Sequence, residues 1–111
     1  MSDRVEIQIP RPVVNEGHTF TATAYFRTGT AASTPTTIHY RVDCLTTRSV
    51  VTEWTSVGSP STSNGIALSS AIIDGSNDYE TKQIVVKADD GLSTQVIGAA
   101  LWKVRNLQGL A

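Results

Sequence analysis

Few side chains in this sequence are of a type that does covalent or acid–base chemistry, and none stands in a spacing that such chemistry requires. The histidines are His18, beside the turn Asn15-Glu16-Gly17, and His39, on the polar side of an alternating run. Nucleophilic or general-base catalysis needs a nucleophile and a base within hydrogen-bond reach. Neither histidine has such a neighbour in sequence, and a solvated surface position is expected for both. Cys44 is the single cysteine, flanked by Val42, Asp43 and Leu45, with no adjacent cation to activate a thiol. A small buried hydrophobe is its expected role. Asp74-Gly75-Ser76-Asn77-Asp78 places oxygen ligands at alternate positions, as a calcium loop begins, but lacks that loop's later glycine and glutamate. An Asx turn accounts for it without metal, and Asp89-Asp90-Gly91 reads as a hairpin turn. The glycines are scattered, with no phosphate-cradling spacing. No catalytic residue, cofactor site or metal site is expected, and the chain is read as a non-enzyme.

Composition narrows the classes further. The 111 residues leave room for a single domain, 1–111, with 40% hydrophobic and 17% charged residues. That is enough apolar material to fold, with less charge than the roughly 25% usual in soluble domains. Thr and Ser with Val and Ile stand where the charge is missing, and β-branched side chains suit a pleated sheet better than a helix. Nine Lys plus Arg against ten Asp plus Glu give a net charge of −1, without any basic cluster. Nucleic-acid affinity draws on clustered cations that release counterions, so no nucleic-acid partner is expected. The opening Met-Ser-Asp-Arg-Val-Glu-Ile-Gln-Ile-Pro has no apolar run of signal-peptide length, and no stretch is long enough to span a membrane as a helix. A soluble, unexported chain without a membrane partner is expected. Cys44 has no second cysteine to pair with, so packing alone must hold the fold, which suits a reducing compartment.

The elements that would position any site read as strands throughout. Val5, Ile7 and Ile9 alternate with polar residues until Pro10 and Pro12, which donate no ladder bonds. Thr19 to Arg27 is the cleanest period-two run, with Phe20, Ala22, Ala24 and Phe26 on one face. Gly29 to Thr36 reads as a loop. Ile38, Tyr40 and Val42, then Val50 to Val57, then Ile66 and Leu68 leading to Ile72 and Ile73, then Glu80 to Asp89, and finally Leu92 to Val104 complete about seven strands. Turn residues every eight to twelve or so positions and no helical periodicity favour an all-β, immunoglobulin-like or fibronectin-like two-sheet Greek-key sandwich, with an open barrel as the alternative. Phe20, Phe26, Tyr40 and Trp54 are expected in the core, whereas Tyr25 and Trp102 are candidates for exposed positions. Leu92 to Val104 carries little charge in its middle, so a partner is expected to cover this final strand.

Tyr40-Arg41-Val42-Asp43-Cys44-Leu45-Thr46 through Glu53-Trp54-Thr55, and Tyr79 through Gly91, resemble segments of small proteins from tailed-phage structural gene blocks. Val5 to Pro10 and Trp102-Lys103-Val104-Arg105-Asn106-Leu107 extend the likeness over most of the chain. The resemblance implies an immunoglobulin-like virion protein of tailed bacteriophages, made in the host cytoplasm. It further implies a head decoration or cement subunit, with the major capsid protein and copies of itself as partners. No functional residue carries over. A neck or tail component, or an adhesion module stacking Tyr25 or Trp102 on surface glycan, is the alternative.

Overall fold

The computed structural model describes residues 4–89 and 95–107, all strand, turn or extended chain. The expected turn at Asp90-Gly91, the start of the final run at Leu92 and the closing Gln108-Gly109 lie outside the described residues.

The first sheet contains β1 (Arg4–Gln8), β3 (Thr19–Thr28), β4 (Ala31–Ala32) and β7 (Ser63–Ser69), with β3 pairing to all the others. The second is ordered β2 (Val13–Asn15), β9 (Gln95–Arg105), β8 (Tyr79–Asp89), β5 (Thr37–Cys44), β6 (Ser49–Ser56). The chain changes sheet between β1 and β2, between β2 and β3, between β4 and β5, between β6 and β7, and between β7 and β8, so the two sheets are interwoven in sequence as a sandwich. The expected first strand is β1, and a further short strand, β2, follows the prolines. β1 runs antiparallel to β3, Val5 opposite Phe26, and β2 runs parallel to β9, Val13 opposite Lys103. Pro10 and Pro12 stand at the switch, where missing N–H groups end one ladder and allow the chain to start another. The loop expected over 29–36 contains the short return β4, pairing Ala31 with Thr28 around Gly29, whose φ of 61° lies in the left-handed region. Ile72 and Ile73 fall beyond the end of β7, Ile72 against the core and Ile73 exposed.

Period-two alternation puts Ala22, Ala24 and Phe26 of β3 and Ile66 and Leu68 of β7 against Ile38, Val42, Ile84, Val86 and Trp102 of the second sheet. Phe26 is wholly buried. Burying a side chain of that size stabilises by about 1.5–3 kcal/mol relative to leaving it in water. β1 closes one side by crossing tightly over β9: a Cβ added at Gly98 would lie 2.8 Å from the Val5 carbonyl oxygen. Any side chain there would push β1 off the sheet.

Two aromatic assignments change. Trp54 is 39% exposed rather than core. The β5–β6 ladder shifts register between Tyr40 and Val42 and again between Val42 and Asp43. Ser56 pairs with outward-facing His39, so Trp54, two residues earlier on β6, also faces out, and Lys87 Nζ lies 4.4 Å from its ring centroid. Trp102, a candidate for exposure, is buried, packed edge-on against Phe20 at 5.4 Å between centroids.

Candidate functional site

The inner face of the second sheet holds charge, and its outer face holds apolar surface. On β8 the inward positions run Ala88, Val86, Ile84 and then, in the same parity, Lys82 and Glu80. Cys44 of β5, Lys82 and Trp102 form one cross-strand row, and Glu80 sits opposite Val104 in the next. The Lys82 and Glu80 side chains are 3% and 0% exposed, and Lys82 Nζ donates to Glu80 Oε1 at 3.1 Å.

Glu80 is also the post to which the loop between β7 and β8 is tied. The backbone N–H of Ile73 donates to Oε1 at 2.8 Å and that of Asp74 to Oε2 at 2.9 Å, while Asn77 Nδ2 donates to Oε2 at 3.1 Å. Cys44 Sγ lies 3.8 Å from Oε1. Asn106 clamps the same loop from the other end, its Nδ2 reaching Gly75 O at 3.0 Å and Asn77 O at 2.8 Å. Burial opposes a charged Glu80, but the two backbone N–H groups, Asn77 and Lys82 outweigh it and bring its pKa down to about 2 from an ordinary 4.5. The carboxylate is fully partnered and covered, so it organises the loop and offers no substrate an approach.

The sequence-level candidates do not converge. His18 is exposed at the turn entering β3, where its carbonyl accepts from Ser70 N at 3.1 Å. His39 is half-buried on the outer face of β5, opposite Lys87. Asp74 Oδ1 accepts from Ser76 N at 3.0 Å and Ser76 Oγ at 2.7 Å, the Asx turn the sequence implies. Those two bonds, the backbone one foremost, hold its pKa below the ordinary value. Among the described residues no group of three or more His, Cys, Asp or Glu side chains could hold a metal ion. Tyr25 is half-buried on the outer face of the first sheet, between Glu6 and Ser63. With Trp102 buried, glycan stacking loses that platform.

What remains is the outer face of the second sheet along β2, β9 and β8. Val13, Tyr79, Ile97 and Leu101 stand there, 45%, 49%, 61% and 54% exposed. A hollow of about 360 Å³ opens beside them, lined by Pro12, Val13, Thr81, Leu101, Trp102 and Lys103. Val96, Gly98 and Ala100 are half-buried on the β1 side, whereas Ile97 and Ala99 are exposed.

Glu80 and Lys82 were missed because Tyr79-Glu80-Thr81-Lys82 looks polar throughout. The signal was there in parity: extending the inward positions Ala88, Val86 and Ile84 by period two lands on Lys82 and Glu80. Comparison with known proteins yields no matching family model, no matching curated protein and no matching solved structure.

Proposed function

We propose that this domain is a structural subunit rather than an enzyme, docking on a larger protein assembly through the outer face of its five-stranded sheet. The observation that carries the reading is that Val13, Tyr79, Ile97 and Leu101, large apolar side chains, are left in water on one face. Val13 and Leu101 line one hollow of that face, and apolar surface gathered in this way marks an interaction surface. The polar groups that could do chemistry are instead consumed internally, Glu80 and Lys82 by each other and by the loop.

The specific form we propose is a decoration subunit on the capsid of a tailed phage, contacting the major capsid protein; the sequence resemblance supports this form. Its action would be mechanical. Apolar area buried against the shell adds contacts present only in the assembled state, and mass action then favours that state. Quantifying the chain in purified particles tests it. Copy numbers comparable to the major capsid protein are expected. A dozen copies or fewer would move the subunit to the neck or tail, and absence from particles would overturn the virion reading.

A further inference from the structure

We propose that the domain forms a two-fold symmetric dimer by antiparallel pairing of the open β9 edge with the same edge of a second copy, centred on Ala99. Each sheet edge presents unpaired backbone N–H and C=O groups, and an edge left without charge, proline or irregularity is a template for another strand. β1 is guarded. Glu6 sits between Arg4 and Arg27, at 3.4 and 3.5 Å, and the prolines follow. β6 is guarded by its two register shifts and by exposed Glu53. β7 is uncharged, but its outward positions Ser63, Gly65, Ala67 and Ser69 offer no large apolar side chain.

β9 differs from all three. β8 pairs one side of it from Gln95 to Arg105, while on the other side β2 reaches only from Lys103 to Arg105. From Val96 to Trp102 that second side has no ladder partner among the described residues, and the stretch holds neither charge nor proline. Ile97 and Leu101 stand along it with more than half their surface in water.

A second copy fits this edge for reasons of parity and charge. A two-fold axis perpendicular to the sheet keeps outer faces on one side and pairs residues of like parity. Centred on Ala99, it sets Ile97 of each copy opposite Leu101 of the other, with Ala99 against Ala99 between them. Centred on Gly98, it would set Ile97 against Ala99 and Leu101 against Gln95, losing both large apolar pairs. The Ala99 register also sets Val96 of each copy opposite Trp102 of the other, so the new ladder stops short of Lys103, where β2 already holds the edge. A net charge of −1 opposes association little. The product is a continuous ten-stranded sheet with one apolar outer strip. This deepens the docking reading by making its surface bivalent, yet does not stand on it, since a dimer needs no capsid to form.

Strand pairing over so short an edge buries less than a standard interface, which places dissociation on the order of 0.1 mM. Sedimentation of the purified full chain from about 10 to 500 µM is expected to show its mass rising from one chain toward two. Ala99 is exposed and at the axis, so Ala99→Lys and Ala99→Glu should each stay folded and monomeric through like-charge contact. An equimolar mixture of the two should dimerise, seen as the mixed species in native mass spectrometry. Wild type that stays monomeric throughout would overturn the proposal and leave the edge to a strand of another protein. Either variant dimerising alone like wild type would overturn it as well.

Discussion

The two faces of β8 and β9 each carry an exception to the usual rule, a buried ion pair at one end of an apolar inner face and large apolar side chains on the outer one, and the exceptions differ in their partners. Inside, Glu80 and Lys82 are buried, but every Glu80 oxygen is satisfied by Ile73, Asp74, Asn77 or Lys82. Outside, Ile97, Leu101, Val13 and Tyr79 have no comparable cover. A buried charge with complete partners is a closed arrangement that holds a loop in place. Apolar surface in water is an open one, and gains free energy only when something covers it. The contrast separates residues that keep the fold from residues that meet other molecules.

The largest expected effect comes from breaking the closed side. Glu80→Ala leaves Lys82 buried without its carboxylate and unties Ile73 and Asp74, which should cost about 3–5 kcal/mol in denaturant unfolding. Replacing both members, Glu80→Gln with Lys82→Met, should cost less than the single change, because no uncompensated charge remains.

Acid sharpens the same point. Glu80 binds its proton less readily folded than unfolded, so its contribution is present above pH 4.5 and fades as pH falls toward 2. A shift from 4.5 to about 2 corresponds to about 3 kcal/mol. Unfolding free energy measured across that window should fall for wild type and stay flatter for Glu80→Gln. Equal slopes would remove Glu80 from the account.

Gly98 links the two sides, since β1 crosses it at the edge of the open face. Gly98→Val should destabilise by about 1–3 kcal/mol, read as a lower Tm, because its Cβ would meet the Val5 carbonyl. On the open side the expected stability effects are the smallest. Ile97→Lys or Leu101→Lys should change unfolding free energy by no more than about 0.5 kcal/mol, since both residues already face water. Their effect should appear in association instead.

Much of this arrangement was legible in the residues. The alternation of Phe20, Ala22, Ala24 and Phe26 carried β3, and Ile84, Val86 and Ala88 carried β8, because one face of each strand is uniformly apolar. Trp54 was misplaced because the inward face of β6 is set by its pairing with β5, Ser56 lying opposite outward-facing His39, and residue type along β6 alone does not show which face that is. Trp102 was obscured by Gly98-Ala99-Ala100, where small side chains give inward and outward positions the same appearance. The Glu80 cluster lay hidden for a different reason. It depends on Ile73, Asp74 and Asn77, three to seven residues earlier, folding back onto Glu80 through a turn, which hydrophobic alternation does not describe.

The measurement that tests the docking surface most directly is the amount of chain recovered with purified particles for wild type and for a Tyr79→Glu, Leu101→Lys double variant of unchanged Tm. The account predicts abundant wild type and a variant lost from particles while still folded. Retention of the variant at wild-type level would contradict the assignment of the outer face as the surface that binds.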